Sequence, residues 1–451
     1  MIHETRIHEL SAAPVRARDY VLYWMQASQR AGFNHALEYA ARAADGLKAP
    51  LVVGFGLDAS YPEANARHFA FMLQGLQETH AALRERGIQL AVRKAPPDEA
   101  ALQFARRACM VVCDRGYLRH QKQWRRRVAE EADCRVVQVE SDVVVPVEVT
   151  SDKEEYAART IRPKIHDRLD GYLVDLEESG PERDSLDIGL NSADVSDWQA
   201  ALQRLGADRE VGPVDDYTGG TSEARRLLDE FIDQRLARYH DRRNEPALDW
   251  VSHMSPYLHF GQISPVEIAL EVSLHDGEGP DAYLEELIVR RELAANFCHH
   301  NPRYDSFEAL PEWARETLAK HAADEREYEY SRERLEHART HDPYWNAAQT
   351  EMVLTGKMHN YMRMYWGKKI LEWTRDPAQA HAILAGLNNR YSLDGRDPVS
   401  WGNFAWIFGK HDRPWQERPI FGTVRYMNAA GLERKFDIEA YVQKIQRRDE
   451  H

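Results

Sequence analysis

THDPYWNAAQTEMVLTGKMHNYMRMYWGKKILEW, residues 340–373, sets three tryptophans, Trp345, Trp366 and Trp373, among amides, an arginine and methionines. The run reads as one helical stretch, with a continuous helix expected over 351–373. Trp366 and Trp373 are seven residues apart, two helical turns, so they share a face about 10.5 Å apart along the axis. Spacing alone describes an aromatic core helix, because tryptophans at helical intervals bury large apolar surfaces. Few ordinary helices place so much oxidisable aromatic surface beside so many polar groups.

Outward from this stretch the chain changes character. After Ser222 it is strongly helical, with further helices expected at 223–239, 265–273, 282–297 and 377–387. The first 150 residues instead alternate short β-rich runs, at 20–24, 51–55, 88–92, 110–114 and 135–139, with amphipathic segments such as 64–86 and 121–131. That alternation argues a parallel, Rossmann-like α/β sheet. No G-x-G-x-x-G follows any of these strands, so the usual phosphate-cradling loop marks no dinucleotide site. Between the halves the pattern loosens around the breakers Gly180–Pro181 and Gly212–Pro213. The expected plan is an α/β domain over 1–150, an acidic interdomain linker over 151–221 and an all-α domain over 222–451.

A net charge of −14 argues at first against a nucleic-acid partner. Its distribution reverses that inference. Residues 170–233 carry 17 acidic and 5 basic side chains, a local balance of −12, whereas residues 401–451 carry 9 Lys/Arg against 7 Asp/Glu. A basic face on an acidic molecule is therefore open, and DNA contact needs only the face. Cys109, Cys113, Cys134 and Cys298 form no C-x-x-C pair and have no His cluster at zinc spacing, so they read as reduced buried thiols. His299 and His300 are adjacent and diverge on a helix, and no metal site is expected. No opening apolar segment follows Met1 and no run approaches bilayer length, so a cytoplasmic protein is expected.

Four further strings stand in order around the tryptophan stretch: SPYLHFGQISP at 255–265, NFCHHNPRYDS at 296–306, YSLDGRDP at 391–398 and RPIFGTVRYMNAAGLERKFD at 418–437. With it they resemble the class II cyclobutane pyrimidine dimer photolyases of the photolyase/cryptochrome family. The likeness begins at YWMQASQR, 23–30, and covers nearly the whole chain. It implies a helical C-terminal domain that binds FAD, active when fully reduced, and an α/β domain that in relatives can hold an antenna chromophore of the deazaflavin type. The implied activity is that of a deoxyribodipyrimidine photo-lyase, a carbon–carbon lyase driven by light. Its partner is UV-damaged DNA with the dimer flipped out of the duplex, and a monomer is expected. The rival reading is a cryptochrome-like blue-light photoreceptor without repair activity. The short stretch after Phe436 and the presence of Glu286, Met364 and Trp406 are set against it.

The resemblance also distributes roles. A flavin held among helices needs neutral donors for its diphosphate, a hydrogen-bonding group at its reactive nitrogen and charge control around its ring. Tyr239 and the turn Ser252, His253, Met254 and Ser255 are implied for the phosphate end, with Pro256 suited to a first helical turn. Arg363 and Asp394 are implied as the charge-controlling pair, since a buried arginine without a carboxylate is costly. Asn360, one turn before Arg363, and Asn388, beside the reactive nitrogen, complete the ring contacts, with Arg291 and Asn296 as further cofactor residues. Glu286 is implied to bond the damaged pyrimidines from a dry pocket that raises its pKa. Met364 and Trp406 are implied as apolar walls for an extruded base pair. Arg290, Arg413 and Arg425, with Trp406, are implied for DNA, arginine being suited to phosphate and to stacking. The tryptophans are implied as an electron wire in the order Trp366, Trp345, Trp373, with Tyr330 as an extra donor.

Overall fold

The computed structural model describes residues 2–450. Its first part is one mixed sheet of β1 (Ile7–Glu9), β2 (Tyr20–Trp24), β3 (Leu51–Gly56), β4 (Gln89–Arg93), β5 (Ala108–Asp114) and β6 (Arg135–Val139), in the order β1-β6-β5-β2-β3-β4. The five strands expected from the sequence are mutually parallel where they pair, and they alternate with helices. Every residue of β2 and β5 is buried, which is why YVLYW and ACMVVCD are almost wholly apolar runs rather than alternating ones. Apolar clusters lie on both faces of the sheet. β1, antiparallel to β6, is an addition to the expected parallel set. Its three residues IHE are too few and too polar to announce a strand.

The strand order reverses between β2 and β5, so a crevice opens at their carboxyl ends. The acidic segment does more than connect. Ser185 accepts from the Gln89 N–H (2.7 Å), Ser192 Oγ accepts from the Val92 N–H (2.9 Å), and the Ala193 N–H donates to the Val92 carbonyl (2.8 Å). It thereby covers the free edge of β4, where unpaired backbone would otherwise template further strands.

The remainder is helical. Three of its helices, Pro343–Thr355, Pro377–Tyr391 and Pro398–Ile407, begin with the same Asp-Pro step. Asp342, Asp376 and Asp397 each accept the N–H of the residue two further on, while proline fills the position whose N–H has no helical partner. The continuous helix expected over 351–373 is corrected here: Pro343–Thr355 ends at Gly356, which is left-handed at φ +73°, and a second helix, Asn360–Trp373, starts after His359. Trp345 therefore lies on a different helix from Trp366 and Trp373. A second irregularity, a π-helical turn at Glu285–Arg290, leads into Arg291–His300. The two parts meet around Arg30, fully buried, whose guanidinium donates to Asp142 (2.9 Å) and to the carbonyl of Gly261 (3.0 Å).

Candidate active site

The Asn360–Trp373 helix carries Arg363 inward to Asp394, which lies in the loop after Pro377–Tyr391. Their side chains are 6% and 11% exposed and approach to 3.3 Å. Burial alone would raise the Asp394 pKa, but Arg363, a hydrogen bond from the Ser255 hydroxyl and the nearby Lys357 together hold it below the usual carboxylate range. Ser255 is thus tied to the ion pair across the helical domain. Beside them Asn388 is fully buried, its amide N–H 3.4 Å from Ser400 Oγ, which in turn donates to the Asp394 carbonyl. Two buried polar atoms here, Asn388 Oδ1 and Arg363 Nε, have no hydrogen-bond partner among the described residues. An unpaired acceptor and donor beside a satisfied ion pair is costly unless a polar ligand completes the set.

The 252–255 turn is shaped by His253, whose φ of +60° is unusual for a bulky residue. Its ring is 2.6 Å from the Tyr217 hydroxyl and 2.7 Å from Asp249. Burial, then the Lys357 charge, depresses its pKa. Ser252 hydrogen-bonds Tyr283, which packs edge-on to Tyr239 at 5.3 Å, and Met254 is in the core. Tyr217, Asp249 and Lys357 were not legible as site residues, since nothing in their local spacing sets them apart. Asn360 is exposed at the start of its helix.

Glu286 departs from the dry pocket expected of it: its side chain is 34% exposed and pairs with Arg243 at 2.8 Å, while Arg243 lies over the Tyr239 ring. Arg291 and Asn296 are not brought to the Asp394 cluster. Arg291 donates to the Asp142 carbonyl and faces the crevice, and Asn296 clamps the backbone of Lys153 and Glu155. The physical reason is that both side chains are engaged elsewhere, the Asp142 carbonyl and the 153–155 backbone holding them on the side facing the first part of the chain. Arg290, on the π-helical turn, is half-exposed beside Glu285.

The tryptophans form a row. Trp345 stacks on Trp366 (centroids 6.3 Å apart, planes within 10°) and meets Trp373 edge-on at 5.5 Å. All three are buried, and the indole N–H groups of Trp345 and Trp366 donate to the Trp366 carbonyl (3.0 Å) and Gln349 (2.9 Å). Tyr330 continues the row, 5.1 Å from Trp373.

Met364 and Trp406 are half-buried. Arg425 lies 5.7 Å from the Trp406 ring and 5.1 Å from the exposed Trp415, and Arg413 approaches Trp415 at 5.4 Å. Stacked arginines and tryptophans at the surface suit contact with bases and phosphates. Trp415, missed from the sequence, is recognisable only once both arginines are seen around it. A separate pocket occupies the interdomain crevice, lined by Met25, Gly56, Tyr117, Phe260, Arg291 and Arg396. Among the described residues no group of His, Cys, Asp and Glu could hold a metal ion, and no helix is long and apolar enough to cross a membrane.

Comparison with known proteins gives this geometry a setting. The DNA photolyase family model matches residues 21–182. A deoxyribodipyrimidine photo-lyase of Methanothermobacter thermautotrophicus is 52% identical over 446 residues, covering 99% of each chain. Another, from Potorous tridactylus, is 42% identical over 94% of this chain and 81% of its own. Among solved structures, an archaeal photolyase from Sulfolobus tokodaii with two FAD molecules superposes with a TM-score of 0.71 at 18% identity, over 94% of this chain and 89% of that one.

Proposed function

The chain belongs to the deoxyribodipyrimidine photo-lyases and repairs cyclobutane pyrimidine dimers in DNA in the light, and on that premise we propose that the Arg363–Asp394 pair, Asn388 and the 252–255 turn hold its FAD. The observation that carries this is the pair of buried orphans, Asn388 Oδ1 and Arg363 Nε, beside an ion pair that is otherwise complete. Those donors and acceptors fit a flavin: Asn388 accepts at the reactive ring nitrogen, Arg363 supplies positive charge at the ring, and Asp394 keeps that charge compensated. Ser252, Tyr239 and Ser255 with its turn serve the phosphate end. Bound there in its fully reduced form, FAD supplies the photoexcited electron that opens the two bonds joining the pyrimidines.

The chain's own contribution is positioning and charge. Met364 and Trp406 replace the stacking that a flipped-out dimer loses. Glu286, steadied by Arg243, accepts hydrogen bonds from the pyrimidine ring N–H groups. Arg413 and Arg425 hold the strand beside the gap, and Arg290 adds a further cation. Trp373, Trp345 and Trp366 pass electrons inward from the surface in that order. The crevice at the carboxyl ends of β2 and β5 suits a second, antenna pigment of the deazaflavin type, as planar apolar walls with Arg396 at one side would receive it. The protein acts as a monomer.

The test is UV-irradiated DNA incubated with purified protein in light and in darkness, beside an absorption spectrum of the protein. Restoration in light alone, by protein showing flavin bands, is expected. Flavin binding without restoration would move the reading to a photoreceptor, and Asn388→Ala or Asp394→Asn protein that kept its flavin unaltered would refute the placement.

A further inference from the structure

We propose that His341 is the proton acceptor that lets Tyr330 end the tryptophan row, taking the phenolic proton as the electron leaves. This rests on the reading of the tryptophans as an electron path. The Tyr330 hydroxyl is 2.7 Å from His341 Nδ1 and accepts the backbone N–H of the same histidine at 3.0 Å. With the phenolic oxygen receiving that N–H, its own proton is free to point to Nδ1, the arrangement in which the imidazole is the Nε2–H tautomer. Tyr328 stacks on the imidazole (3.6 Å, planes within 16°) and holds it flat against Tyr330. His341 is exposed, so a proton arriving at Nδ1 is matched by loss of the Nε2 proton to water.

The surrounding charges explain why a base is needed. Lys369 lies 5.8 Å from the Trp373 ring and Arg334 5.0 Å from the Tyr330 ring. Glu372 pairs with Lys369 at 2.7 Å and offsets its charge, so a radical cation forms briefly on Trp373, whereas Arg334 disfavours one on Tyr330 unless the proton departs too. The carboxylate of Asp342, next in the chain, is no rival base. It is occupied by the N–H groups of Tyr344 and Trp345 and by the Tyr365 hydroxyl. Glu327, hydrogen-bonded to the Tyr328 hydroxyl, and Glu329, paired with Arg375, are likewise engaged.

Electrons and protons balance in this step. The oxidant is the indole radical cation left on Trp373 after its electron has moved inward to Trp345 during light-driven reduction of oxidised flavin. Tyr330 gives one electron to Trp373 and its O–H proton to His341 Nδ1. The products are a neutral indole, a neutral tyrosyl radical and an imidazolium that releases a proton to water. A small thiol in solution then returns a hydrogen atom to the tyrosyl oxygen and becomes a thiyl radical.

Flash spectroscopy of the flavin-loaded, oxidised protein tests this. In the parent protein a neutral tyrosyl signal should grow as the tryptophan radical decays. It should grow more slowly in deuterated water, because a proton moves with the electron. His341→Gln should slow that growth by roughly 100-fold, the low end of what a positioned base contributes, with partial recovery when free imidazole is added. Tyr330→Phe should remove the signal. Unslowed tyrosyl growth in His341→Gln, with the isotope effect intact, overturns the assignment while leaving the row standing. If no tryptophan radical forms in the parent protein, the row itself is refuted and the proposal falls with it.

Discussion

Replacing Asp394 by asparagine leaves Arg363 buried, with Lys357 nearby, and no anion between them. Because the two partner side chains are 6% and 11% exposed, water screens the pair little. Deleting one member of such a pair costs about 3–5 kcal/mol, against about 0–1 kcal/mol for an exposed one. The difference is readable in urea unfolding of the cofactor-stripped protein. The pH dependence adds a second criterion. The folded carboxyl lies below its ordinary range despite burial, because Arg363, the Ser255 hydroxyl and Lys357 favour the anion. A depressed folded pKa gives stability that is complete above the unfolded value, about 3.9, and lost as pH falls through the folded one. The deficit of Asp394→Asn should therefore be constant from about pH 8 down to about pH 5 and shrink below about pH 4. Arg363→Met combined with Asp394→Asn should cost less than the two single deficits added, since the stranded charge is gone. A loss under about 1 kcal/mol, or a deficit that grows in acid, would refute a buried pair at this position.

Trp373→Phe should abolish light-driven reduction of the oxidised cofactor, monitored by its absorption bands, since Trp373 is the link between Tyr330 and Trp345; reduction at the parent rate would sink the row. Arg425→Ala should weaken binding to damaged and undamaged DNA alike and lower the slope of log affinity against log salt by about 1, measured by titration at several salt concentrations. Glu292 is pushed up to about 8 by burial, its carboxyl held by the N–H groups of Val144 and Val145. A raised folded pKa gives stability that is complete below the unfolded value and lost as pH rises, so Glu292→Gln should flatten a decline of about 3–5 kcal/mol between about pH 4.5 and pH 8 in urea-unfolding midpoints. An unchanged pH profile would mean that Glu292 is ionised in the fold.

Legibility from sequence depends on which interactions are local. The parallel strands were legible because burial on both faces demands continuous apolar runs, and Tyr20–Trp24 and Arg135–Val139 end where the sequence says. The resemblance located Arg363 and Asp394, which the fold brings together although 31 positions separate them. The surroundings of Arg291 and Asn296 were not legible, because their partners, the Asp142 carbonyl and the backbone of Lys153 and Glu155, lie more than 140 positions away. Nor was the partner of Glu286: Arg243 is 43 residues away, and charge alone singles out neither. The acidic segment was legible as a break in pattern, but its hydrogen bonds to β4 depend on Ser185 and Ser192, two unremarkable residues in a loop.

The break at Gly356 carries the most consequence. On one unbroken helix Trp366 and Trp373 stand about 10.5 Å apart along the axis, and Trp345 would lie about 31 Å before Trp366. A left-handed residue at Gly356 turns the chain back, so that Pro343–Thr355 packs against Asn360–Trp373. Trp345 then enters the space between the other two, replacing one long interval with contacts of 6.3 and 5.5 Å. The Trp345 N–H bond to the Trp366 carbonyl fixes this insertion. Alanine at Gly356 would hold its Cβ 3.0 Å from Leu393 Cγ in a conformation that costs about 1–2 kcal/mol. That strain falls on the turn that assembles the row, so the continuity of the aromatic contacts depends on a residue that is itself neither aromatic nor charged.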